Sequence, residues 1–298
     1  MSTATNPVVK IVKFFELIKF SHTVFALPFA FISAILAIRT LQIPSFSGEA
    51  LITLGWIALA MVGARSGAMG FNRLVDLKWD AENPRTAIRP SATGEISKFS
   101  MGLMILLSFA LLVFAAWNLN SMAFKLSPVA IFLVSFYSYT KRFTSYSHLF
   151  LGLAIGAAPV AACIAVTGTV SFSSLLLGFS VLLWIAGFDI LYALQDLDFD
   201  KKAGLYSIPV RFGVATSLRL AKVMHLIALH CWIAVKFIED LNWIFSAGVM
   251  ASGLLLIWEH RLIKKDDLSK LNMAFFNMNA VISVTLFVAL FIDLLVFK

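Results

Sequence analysis

The sequence has 298 residues, of which 60% are hydrophobic and only 13% are charged, and its formal net charge is +8. A soluble domain has about 25% charged residues, so this composition excludes a soluble globular protein and predicts an integral membrane protein. Apolar stretches of about 20 residues recur along the chain, and each is long enough to cross a hydrocarbon core of about 30 Å as an α-helix.

Nine of these stretches predict nine transmembrane helices in a single all-α bundle. They cover, approximately, residues 21–39, 51–70, 99–117, 122–140, 148–167, 173–193, 219–237, 242–259 and 277–297. The first stretch is longer than the hydrophobic region of a signal peptide and lacks a small-residue cleavage site, so it is predicted to be retained. No soluble segment separates the stretches, and we therefore expect one domain, 1–298.

The distribution of basic residues predicts how the bundle sits in the membrane. Nineteen of the 24 Lys and Arg residues lie in the N-terminal segment or in the connections that follow the even-numbered stretches. By the positive-inside rule this side is cytoplasmic, in an expected bacterial inner membrane, and the C-terminus lies outside. The positive charge then belongs to the cytoplasmic membrane face and requires no nucleic-acid partner.

A polar stretch, FNRLVDLKWDAENPRT, follows the second apolar stretch on the cytoplasmic side. It spaces Asn72, Asp76 and Asp80 four residues apart, and residues at this spacing share one face of an α-helix. Like charges one turn apart repel each other, so the arrangement is unfavourable unless a cation lies beside it.

A second polar stretch, FDILYALQDLDFDKKAGLYS, follows the sixth apolar stretch in the same way. Spacings of three and four residues put four of its side chains on one helical face: Asp189, Tyr192, Asp196 and Asp200. Asp189 lies within the apolar stretch itself, where an ionisable residue is costly and indicates a functional site. The repeated D-x-x-x-D pattern suggests a weak internal repeat that contributes to one site.

Two acidic faces on the same side of the membrane predict bound cations. The available ligands are carboxylate and amide oxygens without His or Cys, and this set suits Mg²⁺, which binds through one or two carboxylates together with phosphate oxygens. The alternative is structural, with the carboxylates hydrated at helix ends or paired with nearby Lys and Arg. Under the functional interpretation, the acidic residues bind metal ions that carry a phosphorylated substrate.

Cationic and aromatic side chains accompany the acidic stretches. Tyr137 and Lys141 lie one turn apart at the cytoplasmic end of the fourth apolar stretch, in the sequence YSYTKR. Lys141 and Arg142 either mark the membrane boundary or neutralise a diphosphate leaving group. Arg65 precedes Asn72 by seven residues, so it is predicted to face the same cavity about 10 Å deeper in the membrane.

Together these motifs resemble the UbiA family of intramembrane aromatic prenyltransferases, from about residue 20 to the end of the ninth stretch. The family motifs are found as Arg65 followed by Asn72-x3-Asp76-x3-Asp80, as Tyr192-x3-Asp196-x3-Asp200, and as Tyr137-x3-Lys141. The segments KFSHTVFALPFA and YSYTKRFT are most similar to the 4-hydroxybenzoate polyprenyltransferase branch.

The resemblance implies an enzyme that transfers a polyprenyl group from a polyprenyl diphosphate to a ring carbon of a small aromatic acid, with 4-hydroxybenzoate as the expected acceptor, in respiratory quinone biosynthesis. It implies that Lys141, assisted by Arg142 or Arg73, balances the charge of the leaving diphosphate. It also implies two Mg²⁺ ions, bound by Asn72, Asp76, Asp80, Asp196 and Asp200.

The remaining roles implied by the resemblance concern the acceptor and the reacting carbon. Tyr137 or Tyr192 would stabilise an allylic cation, and Arg65 would bind the acceptor carboxylate. Asp189 would orient neighbouring groups or take the ring proton. The site is expected to open to the cytoplasmic side, with membrane lipid around the bundle and no obligatory protein partner.

Several alternatives remain open at the level of sequence. Within the enzyme class these are prenylation of a naphthoate-type menaquinone precursor, haem farnesylation and chlorophyll-type side-chain transfer. Outside it, an ion-coupled secondary transporter would also use intramembrane carboxylates, but transporters hold them near the midplane at broken helices. The acidic residues of this chain gather at the cytoplasmic ends of two helices, and this position favours the enzyme.

Overall fold

The computed structural model describes residues 26–44, 47–263 and 271–297, with the backbone alone for 271–277. Within these ranges the chain is helical apart from its turns and connections, and it contains no strand. The elements are α1 Leu27–Thr40, α2 Gly48–Val75, α3 Leu77–Glu82, α4 Lys98–Leu119, α5 Ser121–Thr140, α6 Ser147–Thr167, α7 Phe172–Ala193, a 3₁₀ helix Leu194–Asp196, α8 Leu197–Lys202, α9 Ile208–Ile238, α10 Trp243–Leu262 and α11 Leu271–Val296.

Eight helical segments in the described ranges are long and apolar enough to cross a membrane, so the chain is an integral membrane protein. The second to ninth predicted stretches coincide, in chain order, with eight of the helices: α2, α4, α5, α6, α7, α9, α10 and α11. The first predicted stretch, 21–39, is met only by the 14-residue helix α1, and residues 21–25 lie outside the described residues. The all-helical prediction is confirmed, whereas the crossing of the membrane by the first stretch, and with it the total of nine spans, stays a prediction.

Helix α1 is short, yet it lies in the centre of the bundle. The ring of Phe29 lies 5.3 Å from the Trp184 ring of α7 and 5.9 Å from the Trp232 ring of α9, measured between centroids. The indole N–H of Trp232 donates to Ser180 Oγ at 2.9 Å, so the buried polar group has a partner. This aromatic cluster joins α1, α7 and α9 into one core.

Glycine residues let two helix pairs approach closely. A Cβ on Gly152 or Gly156 of α6 would lie 2.3 or 2.5 Å from a carbonyl oxygen of α7, and a Cβ on Gly63 of α2 would lie 2.6 Å from one of α4. Close backbone approach through small residues is how helices associate in lipid, where no hydrophobic force drives them together. The α6–α7 contact fixes the start of α6 beside the end of α7, where polar residues gather.

Both acidic stretches break their helices, contrary to the prediction of one continuous helical face in each. Helix α2 ends at Val75, and Asp76, with φ −91° and ψ 9°, is both its C-cap and the N-cap of α3. In the second stretch α7 gives way to the 3₁₀ turn before α8 begins. Asp76 accepts a hydrogen bond from Asn72 Nδ2 at 2.9 Å, so these two motif side chains are in contact at the break.

The spacing of the carboxylates survives the first break. The backbone N–H of Asp76 donates to the Asn72 carbonyl at 2.9 Å, and that of Asp80 donates to the Asp76 carbonyl at 2.8 Å. These are bonds between residues four apart, so the three side chains remain neighbours although the helix axis changes at Asp76.

Candidate active site

The ends of α2, α5 and α7 and the starts of α6 and α9 meet on one side of the bundle, joined by the short helices α3 and α8. The two polar stretches touch there, because Asn83 Nδ2 donates to Asp196 Oδ1 at 3.0 Å across 113 positions of sequence. The backbone N–H of Tyr206 donates to the Lys141 carbonyl at 2.8 Å and attaches the loop after α8 to the end of α5. The predicted meeting of the two acidic stretches is thus found.

Each of the four motif aspartates lies beside a cationic side chain. The shortest nitrogen–oxygen distances are 3.3 Å for Arg142–Asp76, 2.7 Å for Arg89–Asp80, 2.6 Å for Arg85–Asp196 and 3.6 Å for Lys141–Asp200. The structural alternative predicted that the carboxylates pair with nearby Lys and Arg, and these contacts confirm it in part. It does not replace the functional interpretation, since the same cations are positioned beside any anion that the carboxylates help to bind.

Arg85 makes the most extensive of these contacts. Its Nε and Nη2 donate to the two carboxylate oxygens of Asp196 at 2.9 and 2.6 Å, a bidentate pair. Its Nη1 donates to Tyr192 Oη at 2.8 Å, and its guanidinium carbon lies 5.1 Å from the centre of the Tyr192 ring. Burial disfavours the charge, but Asp196 and Tyr192 outweigh it and raise the pKa of Arg85.

Lys141 and Arg142 follow α5 directly and point to different carboxylates. Partial burial disfavours the charge of Lys141, but surrounding carboxylates, Asp200 first and Asp189 second, outweigh it and raise its pKa. Arg142 Nη2 donates to the Val75 carbonyl at 3.0 Å, and its guanidinium carbon lies 4.4 Å from the centre of the Trp79 ring. Arg142 therefore holds the α2–α3 junction, while Lys141 serves the second acidic stretch.

The donor atoms of the site suit a hard divalent cation. The Oδ2 atoms of Asp80 and Asp200 are buried and accept no hydrogen bond from any described residue. Partial burial, followed by the charge of Asp80, raises the pKa of Asp76, as expected for carboxylates held close together. In the described part of the chain no three Asp, Glu, His or Cys side chains converge on a single point. The oxygens therefore fit Mg²⁺ with waters or phosphate oxygens completing its coordination, rather than an all-protein cage.

Arg65 and Tyr137 lie deeper, where they line an apolar cavity of about 340 Å³ between α2, α4, α5 and α6. The Nε of Arg65 is buried and has no hydrogen-bond partner among the described residues. Arg73 lies nearer the carboxylates, with Nη1 3.2 Å from Asn72 Oδ1 and 4.0 Å from Asp80 Oδ2. The predicted residues thus occupy two levels, with charged pairs at one end and an arginine in an apolar cavity at the other.

Sequence reasoning missed four residues of this site. Asn83, Arg85 and Arg89 belong to the run NPRTAIRP, and two arginines four residues apart directly after an acidic motif were a usable signal. The fourth, His148, is fully buried and its Nδ1 lies 2.7 Å from Asp189 Oδ2. A single histidine 41 positions from its partner leaves no spacing pattern, so only the fold reveals this pair.

Comparison with known proteins gives matches over most of the chain. The model of the UbiA prenyltransferase family matches residues 26–281. A 4-hydroxybenzoate octaprenyltransferase of Shewanella piezotolerans is 32% identical over 240 residues, 80% of this chain and 83% of that protein. A protein of the same name from an Enterobacter species is 30% identical over 73% of this chain and 75% of its own length.

Solved structures have the same fold. The apo structure of a UbiA homolog from Aeropyrum pernix K1 is 30% identical in sequence, with a TM-score of 0.81 over 92% of this chain and 98% of its own. A UbiA homolog from Archaeoglobus fulgidus, solved bound to DMAPP and Mg²⁺, is 20% identical, with a TM-score of 0.72 over 95% of this chain and 99% of its own. The second likeness concerns the fold alone.

Proposed function

The chain belongs to the UbiA prenyltransferase family, and we propose that it transfers a polyprenyl group from a polyprenyl diphosphate to a ring carbon of 4-hydroxybenzoate in respiratory quinone biosynthesis. The observation that carries the proposal is the arrangement of two carboxylate series and their cations above an apolar cavity lined by one arginine, whose Nε is buried. The name shared by the Shewanella and Enterobacter relatives supports this choice of acceptor.

The diphosphate of the donor is proposed to bind among the acidic residues and their cations. Mg²⁺, bound by Asn72, Asp76, Asp80, Asp196 and Asp200, would offset the charge that develops on the diphosphate as its bond to carbon breaks. The cations would contact the phosphate oxygens directly, Lys141 and Arg73 among them, with Arg142 assisting. The buried Oδ2 atoms of Asp80 and Asp200 support this assignment, because they accept no hydrogen bond from a described residue although a cation lies 4.0 Å from the first and 3.6 Å from the second.

The prenyl tail is proposed to extend into the apolar cavity and from there toward lipid. Small side chains of α6, such as Ala157 and Ala161, leave the space open, and Leu126 and Leu133 of α5 make its wall apolar. A polyprenyl chain is soluble only in such surroundings, which explains why the reaction takes place within a membrane protein.

The acceptor is proposed to bind with its carboxylate against Arg65. A buried guanidinium with an unbonded Nε is costly unless an anion pairs with it, and a planar carboxylate offers two oxygens to its fork. Tyr137 lines the same cavity and is a partner for the ring or for an allylic cation. The aromatic ring would then lie between Arg65 and the diphosphate.

The reaction follows from these positions. The carbon–oxygen bond of the donor breaks, and its electron pair leaves with the diphosphate, which Lys141 and the arginines stabilise. Tyr137 and Tyr192 present aromatic faces to the allylic cation, and the bundle excludes water that would capture it. A ring carbon of the acceptor forms the new bond. The proton on that carbon then passes to Asp189, and its bonding electrons restore the aromatic ring.

Residues 1–298 are proposed to act as one domain, with the site and the N-terminus on the cytoplasmic side of a bacterial inner membrane, the C-terminus outside and nine spans in all. With both native cysteines replaced, Glu82→Cys and Lys202→Cys, at exposed positions of α3 and α8, should react with an impermeant thiol reagent only after cell lysis. Asn118→Cys at the end of α4 should react in intact cells. The reverse pattern would invert the orientation.

The activity itself is tested by mass spectrometry of products. Purified protein is supplied with Mg²⁺, a polyprenyl diphosphate and one acceptor at a time, either 4-hydroxybenzoate, a naphthoate or no acceptor. We expect C-prenylated 4-hydroxybenzoate and an equal amount of released diphosphate. Product from the naphthoate alone would indicate that the protein prenylates a menaquinone precursor. Absence of product with every acceptor would overturn the proposal.

A further inference from the structure

His148 occupies a junction of three helices. It is the second residue of α6, its side chain is fully buried, and its Nδ1 lies 2.7 Å from Oδ2 of Asp189 near the end of α7. Its other ring nitrogen, Nε2, receives the backbone N–H of Ile208, the first residue of α9, at 3.3 Å. Both nitrogens of the imidazole therefore have fixed partners.

The partners determine where the protons are. A backbone N–H only donates, so Nε2 of His148 must carry a lone pair and no proton. A neutral imidazole then has its proton on Nδ1, and that proton is donated to Asp189. A protonated Oδ2 donating to Nδ1 would require an imidazole without any proton, so Oδ2 of Asp189 accepts this bond, and such a bond favours the ionised form of the carboxyl group.

We propose that His148 is a positioning residue for the prenyl transfer reaction: it fixes Asp189 as a carboxylate with Oδ2 bound, so that Oδ1 is left to receive the ring proton. This inference rests on the proposed function. The hydrogen bonds of the described residues engage Oδ2 of Asp189 and leave Oδ1 without one, and the side chain is 21% exposed. His148 itself takes no proton, since Nε2 is committed to Ile208.

The same contacts tie Asp189 to the diphosphate side of the site. Ile208 begins α9 directly after the loop whose Tyr206 N–H bonds the carbonyl of Lys141, and Leu205 N–H in that loop bonds the carbonyl of Asp200 at 2.9 Å. The Ile208 N–H is one of the free donors at a helix start, and His148 satisfies it. The imidazole of His148 thus links the Asp189 carboxylate to the start of α9, directly after the loop that follows the second acidic stretch.

Two amide variants separate the two bonds of His148. The amide nitrogen of Asn lies where Nδ1 lies, so His148→Asn keeps a donor to Asp189 and loses the bond to Ile208. The amide of Gln reaches the position of Nε2, so His148→Gln keeps an acceptor for Ile208 and loses the bond to Asp189. We expect kcat to fall about 10- to 100-fold in His148→Gln, the loss typical of one hydrogen bond to a charged group, and about threefold in His148→Asn.

The measurements are kcat and KM for donor and acceptor in both variants, with thermal unfolding of each. Donor KM should change little in either. In an Asp189→Asn background, His148→Gln should lower kcat by less than about threefold, because the residue through which His148 acts is already altered. A purely structural role at the start of α9 predicts the opposite order, with the larger loss in His148→Asn, and equal losses in both would also overturn the proposal.

Asp189→Asn alone keeps the shape of the partner and removes its charge, so it tests the inference even if both His148 variants unfold. We expect it to lose at least as much kcat as His148→Gln. Wild-type kcat in this variant would overturn the positioning role while leaving the proposed function intact. Failure of the wild-type protein to form product would instead overturn the proposed function.

Discussion

The two acidic segments carry the same four-residue spacing but are built and neutralised differently. In the first, the helix breaks at Asp76, and the side chain of that residue is 30% exposed. In the second, a 3₁₀ turn separates α7 from α8, and the side chain of Asp200 is only 3% exposed. Both segments interrupt their helices, and the carboxylates of the first are the more accessible to solvent.

The source of the neutralising cations also differs. Arg89, from the first segment itself, pairs with Asp80, while Arg85, five residues after Asp80, crosses over and binds Asp196 of the second segment. The second segment contains no arginine that could pair with the first, and its other aspartate, Asp200, pairs with Lys141 at the end of α5. The first segment thus provides carboxylates and the arginines that pair with them, whereas the second provides carboxylates alone, so the two are not interchangeable copies of one repeat.

Loss of one aspartate from either segment should have the largest effect, since both are proposed to bind the same metal ions. Asp76→Ala and Asp196→Ala should each lower kcat at least about 100-fold, as should chelation of the metal with EDTA, which added Mg²⁺ should reverse. Asp198→Ala is the matched control, because Asp198 is exposed on α8 between two motif residues. A large loss in only one segment would assign the metal to that segment.

Arg65 is expected to give the next largest effect, and on a different substrate. Arg65→Ala should raise acceptor KM about 10- to 100-fold through loss of a charge-assisted bond, and Arg65→Lys should recover only part of this because an ammonium lacks the planar fork. Donor KM should change much less. Arg219→Ala, an exposed arginine of α9, serves as control. An equal rise in KM for donor and acceptor would indicate that Arg65 binds the diphosphate of the donor and not the acceptor carboxylate.

Arginine-to-lysine substitutions should distinguish Arg85, which pairs with the second segment, from Arg89, which pairs within the first. Arg85→Lys loses two fork-like bonds to Asp196 and is expected to lower kcat/KM for the donor about tenfold. Arg89→Lys replaces a single bond to Asp80, at 2.7 Å, and should cost about threefold. Steady-state kinetics with varied donor measure both. The reverse order would contradict the bridging role of Arg85.

The smallest effect is expected from the apolar cavity, which lies apart from both acidic segments. Ala161→Phe should raise KM about threefold for a long polyprenyl diphosphate and leave that for a short donor unchanged, because the ring occupies space needed only by the distal tail. Ala247→Phe, on an exposed position of α10, is the control. An equal rise in KM for short and long donors would argue that the tail lies elsewhere.

Much of the fold was predictable because membrane helices are specified locally. The apolar stretches fixed eight of the helical segments found, since a span of the right length and polarity has few alternatives in lipid. The first stretch was different, because α1 is buried by Phe29 against two tryptophans from other helices. Its burial depends on contacts with helices that are distant in sequence, and a hydropathy pattern does not reveal such contacts.

The site was predictable where its residues repeat and not where they are single. The spacings of Asp76, Asp80, Asp196 and Asp200 indicated two acidic faces, and the structure brings the two stretches together. The break at Asp76 was not foreseen, because a four-residue spacing of side chains does not show where the backbone leaves the helical conformation. His148 lay beyond reach for another reason, since its function arises from helix ends that meet only in the folded bundle.

The central claim is that both acidic segments form one metal-dependent diphosphate site. The most direct test is calorimetric binding of an uncleavable prenyl thiodiphosphate, with and without Mg²⁺, to the wild-type protein, Asp76→Ala and Asp196→Ala. We expect Mg²⁺-dependent binding in the wild type and at least about tenfold weaker binding in each variant. Wild-type affinity in either variant, or binding that is indifferent to Mg²⁺, would contradict the claim.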